Sequence, residues 1–191
     1  MKRSKLEQLQ DLKKLYAAIP DHPFSDFQKN KIVFGVGNPD SKLLFLGEGP
    51  GAEEDRIGQP FVGRAGQLLT KIIEAIGYER SQVYITNVIK CRLENNRAPT
   101  PAEIAYDKHA ILDQELAVIS PRIICCLGAS AMYAMLGQES KLSVSRGLFF
   151  RQGNSLILPT YHPAYLLRNP AAKRLVWQDM QKIMAEIQTL G

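Results

Sequence analysis

The sequence is poor in cysteine. Its 191 residues include three, Cys91, Cys125 and Cys126, and no two are spaced as Cys-x-x-Cys. A sparse, odd count excludes a disulfide framework and fits a reducing compartment. Long apolar runs are missing too: no stretch approaches the roughly 18 residues of a membrane span. The first ten residues are charged and lack the apolar centre of a secretory leader. A cytoplasmic protein with no membrane partner is therefore expected. There is no internal repeat and no low-complexity tract. The one glycine-rich loop is not followed by Gly-Lys-Ser/Thr, and its glycines are not spaced Gly-x-Gly-x-x-Gly, which weakens a phosphate-loop reading.

What remains is the composition of an ordinary globular chain, 45% hydrophobic and 23% charged. Its length suits a single domain, residues 1–191, in which 1–31 form an N-terminal helix and loop extension. The net charge of +5 fits a polyanionic partner, and equally fits simple solubility.

Leu6, Leu9, Leu12, Leu15, Tyr16 and Ile19 recur at helical spacing, and Ser4 with Glu7 forms a capping box. Residues 20–31 are polar, hold two prolines and read as a surface loop. From residue 42 strands and helices alternate. Strands are predicted at 43–46, 83–86, 123–127, 148–150 and 156–158. Helices are predicted at 65–76, ending at Gly77, and at 100–119, opened by Thr100, Pro101 and Glu103. Further helices are predicted at 129–136 and 171–187. This alternation predicts a three-layer α/β/α fold around a mostly parallel sheet of about four strands. Ligands of such sheets bind at the carboxyl ends of the strands. Glu48 follows the first strand, Asn87 the second and His162 the last.

Four segments carry candidate chemistry. Residues 47–55 (Gly-Glu-Gly-Pro-Gly-Ala-Glu-Glu-Asp) form a tight loop whose backbone can approach a ligand closely; Glu48 is either a site carboxylate or part of a surface turn. In residues 59–66 (Gln-Pro-Phe-Val-Gly-Arg-Ala-Gly), Phe61 either stacks on a base or belongs to the core. Gly63 and Arg64 there open a helix that could hold a DNA phosphate. Asn87, in Thr-Asn-Val-Ile-Lys-Cys-Arg, carries a donor and an acceptor side by side, as reading a base edge requires, or it caps the strand. In residues 159–170, His162 lies between a strand and a Pro-led helical turn. After it, Tyr165, Leu166 and Leu167 beside Arg168 suit a wedge into a base stack, or a short helix that packs its leucines inward.

These four segments, in this order, resemble the uracil-DNA glycosylase superfamily, and most closely its family-four type. Residues 60–69 (Pro-Phe-Val-Gly-Arg-Ala-Gly-Gln-Leu-Leu) are almost that family's signature, and the similarity runs from about 33 to 181. The resemblance implies the fold just described and roles for individual residues. Phe61 would stack on an extruded uracil, against the Gly49 backbone. Asn87 would read its edge and reject cytosine. His162 would stabilise negative charge on the departing base. Glu48 would orient or activate water, or stabilise a cationic sugar. Gly63, Arg64, Lys90, Arg92, Tyr165, Leu166, Leu167 and Arg168 would meet the DNA. In one well-studied branch an Asp stands at the position of Gly49; its absence here leaves Glu48 as the candidate carboxylate. A branch that is trapped covalently on DNA carries a His in residues 91–98; there is none here.

The family-four type also implies an iron–sulfur cluster on four cysteines. Two would form a Cys-x-x-Cys before the first strand, one matches Cys91, and one would lie near 106–108. Residues 17–31 and 106–108 contain no cysteine. Cys125 and Cys126 read as core. No cofactor is therefore expected. The expected partner is uracil-containing DNA, and the expected state a monomer. The leading function is a monofunctional glycosylase of base-excision repair. The alternatives are a weak or inactive glycosylase-fold protein that binds DNA within a repair or replication assembly, and a small-molecule nucleotide binder.

Overall fold

The capping signal for the first helix is satisfied in the structure. In the computed structural model, which describes residues 3–19, 22, 31–137 and 141–190, α1 spans Lys5–Ala17. The Ser4 hydroxyl accepts the Glu7 amide, and the Glu7 carboxylate accepts the Ser4 amide. Leu9 and Tyr16 are buried, whereas Leu6 and Leu15, expected on the same apolar stripe, are exposed. The loop expected at 20–31 and its aromatics Phe24 and Phe27 lie almost wholly outside the described residues.

The chain then forms β1 (Val36–Gly37), β2 (Leu43–Gly47), α2 (Ala52–Ile57), α3 (Arg64–Ala75), β3 (Tyr84–Asn87), α4 (Pro101–Asp107), α5 (Asp113–Ile119), β4 (Ile123–Leu127), α6 (Ala129–Leu136), α7 (Leu142–Ser145), β5 (Phe150–Gln152), β6 (Ser155–Thr160), α8 (Pro163–Arg168) and α9 (Lys173–Thr189). The sheet order is β1-β3-β2-β4-β6-β5. The four central strands are parallel, and the short edge strands β1 and β5 pair antiparallel. The sheet thus has the expected parallel centre plus β1, which is too short for period-2 patterning to reveal, and a β5 displaced two residues beyond its expected position.

Alternation along the strands divides the core between two faces. Leu44, Leu46, Ile124, Cys126 and Ile157 pack under α1, α4, α5 and α6. Leu43, Phe45, Ile123, Cys125 and Leu158 pack under α3, α8 and α9. Each fully buried Leu, Ile or Phe here contributes about 1.5–3 kcal/mol by leaving water.

The helix expected over 100–119 begins as the sequence indicates, with Pro101 in the first turn and the Thr100–Glu103 capping box. It is interrupted by a π turn at Lys108–Leu112 before α5. Eight residues apart, Asp107 and Glu115 would point about 80° apart on a regular α-helix. The wider turn absorbs one residue and aims both at the end of β3, where both are fully buried. No described helix is long and apolar enough to cross a membrane.

Candidate active site

The strand order makes a crevice. The chain leaves β2 for β3 on one side and returns across it to β4 on the other, so the connections diverge at the carboxyl ends of β2 and β4, where open parallel sheets hold ligands. A cavity of about 590 Å³ lies there. It is walled by Glu48 and Gly49 after β2, Phe61 before α3, Asn87 at the end of β3, Gly128 after β4 and His162 after β6, with Tyr165 and Arg168 of α8 on another side.

Asn87 is buried, and its carboxamide oxygen has no hydrogen-bond partner among the described residues. An unpaired buried acceptor costs about 1–3 kcal/mol, a cost relieved by any ligand that brings an N–H. Facing it is Gly47, whose missing side chain leaves room for both Asn87 Oδ1 and the Phe61 ring.

Phe61 is buried in the core beneath α3, as one of its two readings has it, and it also walls the cavity. Its φ of 54° lies in the left-handed region, where a bulky side chain is rare and costs on the order of 1–3 kcal/mol. Three features hold it there. The Glu54 carboxylate accepts the amides of Gly51, Val62 and Gly63 at 3.2, 2.9 and 2.8 Å. Arg80 donates to the Pro60 carbonyl at 3.0 Å and to Thr70 Oγ1 at 3.2 Å. Gly66 lies so close beneath Phe61 that a Cβ would strike its backbone.

His162 caps α8: its Nδ1 accepts the Ala164 amide at 3.1 Å. Burial, reinforced by the Arg168 charge and opposed by Glu54, pushes its pKa down to about 4. The ring is neutral at pH 7, and because Nδ1 is an acceptor, the proton resides on Nε2. The ring centroid is 5.7 Å from that of Phe61, with planes tilted by 33°.

Glu48, half-buried, accepts a 2.5 Å hydrogen bond from Ser130 in the first turn of α6. Ser130, Glu54 and Arg80 were not visible as site residues in the sequence. Glu54 alone left a trace, as one acid among four in a short loop.

Three expectations are corrected. Lys90 does not face DNA: it has no exposed surface and its ammonium is ion-paired with Glu115. Leu166 is buried beneath α3 and α9, so the leucine reading that holds for it is inward packing. The Gly63 amide is not free for a phosphate, because Glu54 occupies it. Arg64, Tyr165, Leu167 and Arg168 are exposed, and half-buried Arg92 donates to Asn96 Oδ1 at 2.8 Å.

Fold and cleft together define a three-layer α/β/α protein with a cavity at the switch point of the parallel centre of its sheet. More narrowly, the chain belongs to the uracil DNA glycosylase superfamily, whose family model matches residues 34–181. It is similar to the type-4 uracil-DNA glycosylase of Thermotoga maritima, with 43% identity over 85% of this chain and 86% of that protein. It is similar also to those of Sulfurisphaera tokodaii, with 40% identity over 81% of this chain and 74% of the relative, and Archaeoglobus fulgidus, with 40% identity over 81% of each.

The residues present do not fit the iron–sulfur cluster of the family-four type. Cys125 and Cys126 are in mid-β4 and belong to opposite core layers, and burial raises both thiol pKa values, holding them protonated. Cys91 is buried after β3. In the stretch 106–108, where another thiolate is expected, Asp107 accepts Tyr16 OH at 2.6 Å and the Lys90 amide at 3.0 Å. His22 Nε2 lies 2.9 Å from the same tyrosine oxygen. Among the described residues no three His, Cys, Asp or Glu side chains are gathered as metal ligands.

Proposed function

We propose that this chain hydrolyses the N-glycosidic bond of a uracil flipped out of DNA, as a monofunctional glycosylase of base-excision repair. The observation that carries this reading is the buried, unpartnered Asn87 oxygen at the wall of a cavity that Phe61 and His162 also line. Uracil offers that oxygen its N3–H, while the Asn87 amide donates to O4. Cytosine offers a lone pair at N3 and an amine at C4, reversing both polarities. The Phe61 face stacks on the flat ring, and the Gly49 backbone closes the other approach.

Breaking the C1′–N1 bond leaves the electron pair on uracil and positive charge on the deoxyribose. His162 donates from Nε2 to the uracil oxygen that gathers negative charge. Being neutral, it stabilises that charge by hydrogen bonding and gives up no proton beforehand. The Glu48 carboxylate, steadied by Ser130, stabilises the cationic sugar and orients the water that adds to C1′. Preorganised groups of this kind supply the largest catalytic contribution in many enzymes. Arg64, Arg92 and Arg168 contact phosphates, and Tyr165 and Leu167 project towards the strand gap. The enzyme acts in the cytoplasm as a monomer and uses no cluster.

A second reading, a glycosylase fold that binds DNA without cutting, is favoured only by the absent cluster thiolates. A uracil-release assay on single- and double-stranded oligonucleotides separates the two: release that depends on Glu48 and His162 supports the enzyme, and binding without release supports the alternative.

A further inference from the structure

The glycosylase reading gives no role to the charge pair behind the base slot. Lys90 and Glu115 have fully buried side chains. The three ammonium protons are all used: Lys90 Nζ donates to Glu115 Oε2 at 2.5 Å, to Thr86 Oγ1 at 2.8 Å and to the Asn87 backbone carbonyl at 2.7 Å. Glu115 also accepts Tyr84 OH at 2.9 Å and the Thr86 hydroxyl. The Lys90 amide donates to Asp107 and its carbonyl accepts from Val33. Both Asp107 and Glu115 reach this one residue because the π turn turns them to the same side.

Stability does not account for this arrangement. Removing two charges from water costs as much as or more than their attraction returns, and well-packed apolar replacements are often neutral or stabilising. What such a pair can provide is one backbone geometry in place of several. Here the geometry is that of Asn87. The peptide is planar, so fixing the Asn87 carbonyl fixes the peptide that leaves its Cα. The next two amides, of Val88 and Ile89, are fixed by the carbonyls of Gly47 and Glu48. The segment carrying the base-reading carboxamide is thereby clamped on one side to β2 and on the other to a buried ammonium.

We infer that Lys90, held by Glu115, is a positioning residue for base recognition, locking the Asn87 backbone so that its carboxamide meets the edge of the base. This rests on the reading of Asn87 as the residue that contacts uracil. Lys90 touches neither base nor phosphate, and its ammonium is closed off further by the Phe34 ring, 5.4 Å away.

The test is the paired variant Lys90→Met/Glu115→Leu, which keeps volume and removes both charges. Loss of the two charges is not expected to cost stability, so any fall in melting temperature should be no more than the loss of the buried partners of Tyr84, Thr86 and the Asn87 carbonyl produces. Its kcat/KM for uracil release is expected to fall by about 100-fold, the scale of a displacement near 1 Å at a reacting centre. Inhibition by free uracil should weaken in parallel, while affinity for abasic DNA, set by backbone contacts, stays unchanged. In an Asn87→Ala background the paired change should add nothing. A folded paired variant with wild-type kcat/KM and uracil inhibition overturns the inference, as does full additivity with Asn87→Ala. If the paired variant does not fold, Lys90→Arg is read by the same measurements. Its planar fork does not reproduce the three-way contact, so weakened uracil inhibition supports the inference and wild-type inhibition overturns it. A wild-type protein that neither releases nor binds uracil defeats the glycosylase reading itself, and this inference with it. Release by wild type together with an unaffected variant defeats this inference alone.

Discussion

Gly47 and Asn87 are register partners at the ends of β2 and β3, and a methyl group on Gly47 would overlap both the Asn87 carboxamide oxygen and the Phe61 ring. Asn87 and Phe61 hold their places at the cavity wall because residue 47 has no side chain. The backbone there is ordinary, so the glycine is required for space and not for conformation.

Gly47→Ala is accordingly expected to fold, because Asn87 and Phe61 can rotate towards the open cavity. Uracil release should nonetheless fall by about 100-fold or more, since the displaced groups are those proposed above to meet the base. Thermal melting together with a release assay checks this. An alanine variant at the wild-type rate would mean that uracil binds elsewhere.

Glu54→Ala removes the acceptor of three loop amides, two of them in the turn that holds Phe61 at positive φ. Leaving such partly buried donors without a partner costs about 1–3 kcal/mol. Stability by denaturant titration should drop by that amount, and uracil affinity should fall with it as Phe61 relaxes. Unchanged stability would show that water replaces the carboxylate without loss.

His162 has a testable pH signature. Its folded pKa near 4 lies below the ordinary 6.5, with burial the larger cause and Arg168 the smaller. Between these values the unfolded chain takes up a proton that the folded chain does not. This residue's contribution to stability is therefore complete above pH 6.5 and is lost as pH falls towards 4. The neutral ring should survive to about pH 5, and Arg168→Ala should move the His162 midpoint part of the way towards 6.5. Imidazole chemical shifts followed by NMR read this directly; a wild-type midpoint at 6.5 would contradict it.

Ser130→Ala should lower kcat for uracil release by about tenfold, the scale of one hydrogen bond to a charged group, about 1.5 kcal/mol. Glu48→Ala should cost more. Adding Ser130→Ala to Glu48→Ala should cost nothing further, because the serine has no remaining carboxylate to hold. Full additivity in single-turnover assays would remove Ser130 from this role.

Purified protein should be colourless and free of stoichiometric iron. Metal analysis and a visible spectrum check this. Iron near four atoms per chain would mean that the ligands come from residues other than those considered above.

What could be read from the sequence is what depends on near neighbours. The Ser4–Glu7 and Thr100–Glu103 capping boxes, the strand ended by Gly47 and the helix stopped at Gly77 involve residues within a few positions of each other. The alternation of elements, and with it a sheet that lines up Glu48, Asn87 and His162, follows from such local signals. Cys125 and Cys126 were legible for the same reason, since neighbours in a strand take opposite faces.

Tertiary structure decided the rest. A lysine three residues beyond a strand reads as a phosphate contact, and only a carboxylate 25 positions away, turned inward by a π turn, makes it a buried ion. Leu166 reads equally well as a wedge or as core until α3 and α9 cover it. Ser130 meets Glu48 across 82 residues because β4 returns beside β2. The residue types alone set local conformation and the supply of chemical groups. Which of those groups leave water, and which find each other, depended on the crossover of the chain at the switch point, a long-range event that no pattern of neighbouring residues encodes.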